Sequence, residues 1–208
     1  MDKNSIRSSY ENYVLEHGKK PASVFAFCKE NGFNENEFYN FYSSFDGIDK
    51  EIWLAIFTET KDQLEQDETY KNYSAQEKLL AFYFLWVQKL RTHRSYILQQ
   101  KENFKFSDMK DDKLELFRKA FFDYVNGLIA LGHESNEIKE RKFISDKYAH
   151  GFWLQALFVL KYWVEDTSAN FENTDAAIEK AVTLSFKLIK ENALDSLIDF
   201  GKFVFQKR

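Results

Sequence analysis

Apolar residues recur at helical spacing along most of the chain, and capping residues separate the apolar stretches. Ile6, Tyr10 and Val14 fall on one helical face. Gly18 follows them at the position where a left-handed C-terminal cap is expected. The pattern therefore predicts a first helix over residues 5–17.

Two short helices are predicted next, each beginning at a capping residue. Ser23 can cap a helix that runs to Asn31 and ends in a left-handed turn at Gly32. Asn34 opens another helix, and Glu37 stands three residues later, as a capping box requires. The expected inner face of this third helix consists of Phe38, Phe41 and Tyr42.

Longer helices are predicted for the rest of the chain. Ser43 or Ser44 can cap a fourth helix that extends to about Gln66. The further helical ranges are 74–101 as one or two helices, 111–131, 136–166, 174–192 and 195–205, with a connecting loop over 103–112.

Composition agrees with an all-α fold. The 208 residues include only seven Gly and one Pro, the two strongest helix breakers, and 44% of them are hydrophobic. We expect a three-helix headpiece over residues 1–48 and a larger helical bundle over 49–208, with a helix over 49–66 connecting them.

Charge and cysteine content limit the partners and the compartment. The net charge of -4 excludes the positive field of a protein that coats nucleic acid, although a local basic patch is still allowed. Cys28 is the single cysteine, and no basic-then-apolar leader is visible, so a cytoplasmic location is expected. The longest apolar run, 79–87, is too short for a membrane span, which needs about 18 residues.

The sequence gives little support for catalysis. Its four histidines are scattered without metal-ligand spacing, and it contains no Gly-rich phosphate loop and no Gly-x-Ser-x-Gly elbow. We therefore expect no enzymatic activity, no catalytic residues, no metal and no cofactor.

Three short segments carry a resemblance to a known family. They are Ser23 at the start of the second helix, the turn Asn31-Gly32-Phe33-Asn34, and the string from Phe38 to Phe45, FYNFYSSF. With their spacing, residues 5–60 resemble the DNA-binding domain of the TetR family of transcriptional regulators. The chain departs from that family's pattern at Glu35, where a basic or small residue is common, and at Phe45, where a phosphate-binding Lys is common.

The resemblance implies that the third helix enters the major groove of DNA. Positions 35, 36, 39 and 40 share its outer face. The candidate DNA contacts are Ser23, Glu35, Asn36, Tyr39, Asn40 and Lys50. Asn can bond adenine, Glu can accept a hydrogen bond from cytosine, and Tyr can reach a phosphate. Carboxylates in a first turn also stabilise any helix, so Glu35 and Glu37 have a structural explanation too.

Electrostatic attraction to DNA is expected to be weak. Residues 1–50 contain six Lys or Arg and eight Asp or Glu, and phosphate neutralisation supplies most non-specific affinity. Attraction then depends on Lys19, Lys20, Lys29 and Lys50. If these lysines converge beside Tyr39, DNA binding is favoured. If Glu35, Asp46 and Asp49 dominate that surface, a module without DNA binding is favoured.

The resemblance also implies a carboxy-terminal bundle that binds a small apolar or aromatic ligand and forms a homodimer. The candidate ligand-binding residues are Trp86, Phe122, His150 and Trp153, although such aromatic residues also suit a bundle core. The expected intersubunit stripes are Ala149, Phe152, Ala156, Val159 and Trp163 on one helix, and Ala177, Ala181, Leu184 and Leu188 on the next.

The resemblance therefore implies a ligand-responsive, homodimeric transcriptional regulator, a repressor, that binds a double-stranded DNA operator. The alternative is a module of the same architecture that has lost sequence-specific DNA binding and instead binds a ligand or a protein.

Overall fold

The computed structural model describes residues 2–100, 112–140 and 147–190, and the regular structure within these ranges is helical. The α-helices are α1 (Lys3–His17), α2 (Val24–Asn31), α3 (Glu35–Tyr39), α4 (Phe45–Glu65), α5 (Glu68–Lys71), α6 (Ala75–Thr92), α7 (Arg94–Gln99), α8 (Glu115–Glu134), α9 (Tyr148–Glu165) and α10 (Glu172–Lys190). Short 3-10 turns at Asp112–Leu114 and Ala169–Phe171 precede α8 and α10. The all-α prediction is confirmed.

The chain divides into two compact units. The first comprises Met1–Thr60 and Trp86–Ala120, and the second comprises Lys61–Leu85 and Phe121–Arg208. These two units are defined by packing. The division predicted at residue 48 separates a DNA-binding headpiece from a ligand-binding domain by function, and it stays a prediction.

The turns of the headpiece, α1 to α3, form as their capping residues predict. Gly18 and Gly32 end α1 and α2 with φ of 68° and 70°, a left-handed conformation that costs other residues more than Gly. Ser23 caps α2, because its Oγ accepts a hydrogen bond from the backbone N–H of Ala26 at 3.1 Å.

The predicted capping box of α3 is confirmed. Asn34 Oδ1 accepts from the N–H of Asn36 at 2.9 Å, and Glu37 Oε2 accepts from the N–H of Asn34 at 3.0 Å. These bonds satisfy backbone donors that a helix start leaves without partners.

Aromatic rings form the core of the headpiece. The Phe27 ring has edge contacts with Tyr10 at 6.4 Å, Phe38 at 6.2 Å and Phe45 at 5.5 Å between centroids. Phe45 also stacks on Tyr10 at 5.3 Å. The residue that stands in place of a phosphate-binding Lys therefore packs against this core. The predicted inner position of Phe41 is wrong, because α3 ends at Tyr39 and Phe41 is 41% exposed.

The second unit has its own aromatic core. Phe121 contacts Phe82 at 5.7 Å and Trp153 at 5.9 Å between ring centroids. The Tyr83 hydroxyl donates to the carbonyl of Phe152 at 3.3 Å, which joins α6 to α9.

A buried carboxylate fixes the connection from α9 to α10. Asp166 accepts hydrogen bonds from the backbone N–H groups of Ser168 at 2.8 Å and Thr174 at 2.9 Å. Asp166 is thus an acceptor for backbone donors at the start of α10.

The predicted helix over 136–166 is wrong in its first part. Asn136 has a φ of 60°, and the N–H of Ile138 bonds the carbonyl of Gly132 at 2.9 Å, which ends α8 and turns the chain. Helix α9 begins at Tyr148. The segment 141–146, the helix predicted over 195–205 and nearly all of the loop predicted over 103–112 lie outside the described residues. None of the helices in the described ranges has the length and apolar character needed to cross a membrane.

Candidate nucleic-acid interface and ligand site

The outer face of α3 is polar and accessible. Tyr39 is 54% exposed, and Asn36 and Asn40 are also exposed. Glu35 is half-buried, whereas Phe38, on the opposite side, is fully buried and holds the helix on the aromatic core. The predicted contact residues on this face are therefore presented together, and their role as DNA contacts stays a prediction.

The carboxylates of α3 have different surroundings. Glu37 is engaged in the capping box, which leaves Glu35 as the carboxylate on the predicted contact face. Ser23 is exposed at the start of α2, where helix N–H groups and the helix dipole favour an anion such as a phosphate.

Two lysines predicted to attract DNA are paired with carboxylates. Lys50 Nζ lies 2.7 Å from an oxygen of Glu115, and this hydrogen bond raises the pKa of Lys50. Lys20 Nζ lies 2.5 Å from Asp46 and 2.6 Å from Asp49, and its hydrogen bond lowers the pKa of Asp46. Both ammonium groups are largely neutralised by their partners, which reduces what they can contribute to phosphate binding.

The remaining two lysines are accessible. Lys19 and Lys29 are exposed, and within the described ranges neither takes part in an ion pair. Asp49 is fully buried and is not part of the protein surface. Of the residues on which the electrostatic comparison depends, Asp49 is therefore internal, Lys20 and Lys50 are paired, and Lys19 and Lys29 are accessible.

Three of the four candidate ligand residues come together in the second unit. Phe122 has an edge contact with His150 at 5.1 Å and lies 6.4 Å from Trp153 between ring centroids. His150 is exposed and Trp153 is buried. Trp86 belongs to the first unit, where it is fully buried and packs on Phe117 at 5.2 Å. The structure therefore does not group Trp86 with the other three.

A small cavity lies between the start of α9 and the end of α10. It has a volume of about 250 Å³. Its lining residues are Lys147, Tyr148, Gly151, Phe152, Ser185, Leu188 and Ile189. Tyr148 and Ser185 could not be predicted as cavity residues, because their types and spacing carry no signal that separates a cavity wall from any other helical position.

The outer face of α9 and α10 carries exposed apolar side chains. Leu154, Phe158 and Leu184 are 50%, 46% and 57% exposed. They line a groove of about 620 Å³ that also includes Ala177 and Ala181. Contiguous exposed apolar surface of this kind marks an interaction site more often than scattered single residues do.

The stripe predicted on α9 for the subunit interface is wrong. Its members are buried within the second unit, at 5% exposure or less; they are Ala149, Phe152, Ala156, Val159 and Trp163. The apolar face that α9 presents to solvent consists instead of Leu154, Phe158 and Tyr162.

Comparison with known proteins identifies a family. A family model described as tetracyclin repressor-like, C-terminal domain, matches residues 78–204, more than half of the chain. No curated protein matches it.

Proposed function

Because the chain belongs to the tetracycline-repressor-like family of transcriptional regulators, we propose that it is a homodimeric, ligand-responsive repressor that binds a double-stranded DNA operator. Members of this family are generally regulators without enzymatic activity. We further propose that the protein acts in the cytoplasm, where the DNA is.

The polar outer face of α3 carries this proposal. Asn36, Tyr39 and Asn40 are accessible on a short helix that buried Phe38 fixes to the aromatic core. Asn side chains can form paired hydrogen bonds with adenine in the major groove, and a Tyr hydroxyl can bond a phosphate. Glu35 and Ser23 complete the proposed contact set, Ser23 through the start of α2, while Lys50 joins it only when its pair with Glu115 is broken.

The proposed mode of binding relies on base contacts more than on charge. Lys20 and Lys50 are paired with carboxylates, so Lys19 and Lys29 remain as the accessible lysines of the predicted set. Two phosphate contacts in each headpiece correspond to about four in a dimer. The logarithm of affinity should then fall with the logarithm of salt concentration with a slope of about -4, shallow for a dimeric DNA-binding protein.

The exposed faces of α9 and α10 support the proposed dimer. Two copies of the groove that contains Phe158 and Leu184 can pack against each other around a two-fold axis, forming a four-helix interface. Lys180 lines the same groove and belongs at the polar rim. In such a dimer the two α3 helices meet half-sites about 34 Å apart, one turn of the duplex.

The proposed effector is a small apolar or aromatic molecule. Phe122, His150 and Trp153 are grouped within the second unit, and the cavity beside Tyr148 and Phe152 is near them in sequence. A ligand that prefers the conformation that binds DNA less tightly lowers DNA affinity, by at most the difference in its own binding free energy between the two conformations. Trp86 is fully buried in the first unit and is not part of this proposed site.

Selection from a random duplex library tests the proposal. Purified protein is incubated with the library at low ionic strength without effector, and the bound duplexes are sequenced. The proposal requires enrichment of a two-fold symmetric site with half-sites one turn apart. Recovery of unenriched sequences contradicts it.

The acidic headpiece favours a second candidate function. Phe25, Tyr39 and Phe41 are exposed by 61%, 54% and 41% on a segment with excess negative charge. Such a surface suits a protein partner with basic and apolar residues. If no duplex is enriched and the dimer still binds small apolar molecules, the module without DNA recognition is the better description.

A further inference from the structure

A buried carboxylate joins three separate parts of the first unit. Asp49, in α4, has no exposed surface. Its Oδ1 accepts hydrogen bonds from the Tyr10 hydroxyl at 3.0 Å, the Tyr96 hydroxyl at 2.5 Å and Gln100 Nε2 at 3.0 Å. Its Oδ2 lies 2.6 Å from Lys20 Nζ. We name these five residues the carboxylate lock.

The members of the lock come from distant positions in the chain. Tyr10 belongs to α1, Lys20 to the connection from α1 to α2, and Tyr96 and Gln100 to α7 and its C-terminal cap. Asp49 is therefore the common acceptor that connects the first helix of the headpiece with α7.

The chemistry makes the lock costly to open. Removing a carboxylate from water is unfavourable unless hydrogen bonds and an opposite charge replace the lost hydration, and here four groups do so. Burial, followed by the negative charge of Asp49, raises the pKa of both Tyr10 and Tyr96, so their hydroxyls stay protonated and keep donating. Displacing α7 alone would leave the buried charge with two fewer donors.

Two further contacts connect α1 with the same part of the chain. His93 Nδ1, directly before α7, lies 2.6 Å from Glu11 Oε1. Gln99 Nε2 donates to the carbonyl of Leu15 at 3.4 Å. Polar contacts thus connect α1 with α7 and the residue before it at several positions, and the lock is the most deeply buried of them.

We propose that Asp49 is a positioning residue that joins α1 to α7, so that the two helices move as one body. As a regulatory device this rests on the proposed function. The joining of the two helices is a property of the first unit alone and is testable without DNA or effector.

Amide hydrogen exchange of the full-length protein tests the joining. In Tyr96→Phe, one donor to Asp49 is lost while the ring remains, and Asp49→Asn keeps the shape of the side chain but removes its charge. We expect exchange in both α1 and α7 to become roughly ten- to a hundred-fold faster, the factor for losing a hydrogen bond to a charged group. Exchange in α9 and α10 should stay as in the wild type.

Two matched variants control for unspecific effects. Lys3→Gln breaks the half-buried ion pair between Lys3 and Glu51, which connects α1 with α4 but not with α7. Tyr83→Phe removes the buried hydroxyl that donates to Phe152 in the second unit. Neither should accelerate exchange in α7.

Faster exchange in α7 alone would overturn the proposal, because α1 would then be independent of α7. Equally faster exchange in all helices would also overturn it, because the substitution would then only destabilise the whole protein. A duplex library that yields no enriched site would overturn the proposed function. In that case the exchange rates of α1 and α7 still decide whether the two helices are joined.

Discussion

The ammonium group of Lys50 lies 2.7 Å from the carboxylate of Glu115. Lys50 has a position in sequence that suits phosphate binding, yet its charge is matched within the protein. Removing the Glu115 carboxylate would leave the Lys50 ammonium without this partner, and in the proposed complex the ammonium could then pair with a DNA phosphate.

Glu115→Gln should therefore strengthen DNA binding and make it more sensitive to salt. One additional phosphate contact in each headpiece makes the slope of log affinity against log salt steeper by about 0.9, or about 1.8 for a dimer. Fluorescence anisotropy of a labelled duplex across a salt series measures the slope. The control is Glu59→Gln, which changes the net charge by the same amount at an exposed position of α4 and should leave the slope as in the wild type. Equal slopes for the wild type, Glu115→Gln and Glu59→Gln would refute the prediction.

Tyr39→Ala should abolish binding to the selected operator while changing the free energy of unfolding by less than about 0.5 kcal/mol, as is usual for surface substitutions. The side chain is 54% exposed, so little packing is lost. Operator binding and urea unfolding are measured on the same preparation. Tyr73→Ala, which truncates another partly exposed Tyr, serves as the control. Undiminished operator binding by Tyr39→Ala would show that this face of α3 does not read DNA.

Leu184→Glu should convert the proposed dimer into a monomer. Leu184 is 57% exposed and lies in the groove of α9 and α10, where a second subunit would bury the new charge at a cost of several kcal/mol. Sedimentation velocity at micromolar concentration gives the mass. Leu15→Glu places the same charge on α1 and should remain dimeric. A wild type that sediments as a monomer would remove this part of the account.

Local sequence determines the helix ends, whereas the direction of a side chain depends on packing against distant parts of the chain. The ends of α1 to α3 follow from Gly18, Gly32 and Asn34, because caps act through backbone groups a few residues away. The direction of Phe45 and the burial of Asp49 depend on α1 and α7, which local periodicity does not encode.

The second unit shows the same distinction on α9. Its apolar residues cover most of its circumference, so spacing alone could not decide which of them face the core. Trp163 is buried and Phe158 is exposed, although both fit a helical stripe. Likewise, the left-handed turn at Asn136 does not follow from the sequence, because Asn suits the start of a helix as well as the residue after its end.

Two glycines of α8 provide a matched test of local packing. A Cβ at Gly132 would lie 2.6 Å from side-chain atoms of Ile138, whereas a Cβ at Gly127 would meet nothing within 4 Å. Gly132→Ala should destabilise the protein by about 1–3 kcal/mol through overpacking. Gly127→Ala should stabilise it by about 0.5–1 kcal/mol, because Ala restricts the unfolded chain and favours the helix.

Urea unfolding measures both effects. Equal changes in the two variants would show that the turn formed by Gly132 and Ile138 is not packed as described.

Asp166 should make stability depend on pH in the acid range. Burial acts to raise its pKa, but hydrogen bonds from Thr174 and Ser168 outweigh it and hold the pKa at about 2. Since the unfolded value is about 3.9, the carboxylate contributes about 2 kcal/mol above pH 4, and this stability is lost as the pH falls from about 4 through 2.

Asp166→Asn should therefore be less stable at pH 7 and show a flatter dependence between pH 4 and 2. Urea titrations at several pH values measure it, with Asp123→Asn on the exposed surface of α8 as the comparison. If the free energy of unfolding of Asp166→Asn changes with pH as steeply as that of the wild type in this range, the pH dependence comes from other carboxylates.

The most direct test of the central claim is the salt dependence of binding to the selected duplex and to a shuffled duplex of the same composition. The account predicts that the selected duplex binds at least about 10³-fold more tightly, with a salt slope of about -4 for the dimer. Equal affinity for both duplexes, or a slope of about -8 or steeper, would contradict recognition by a polar rather than a basic face.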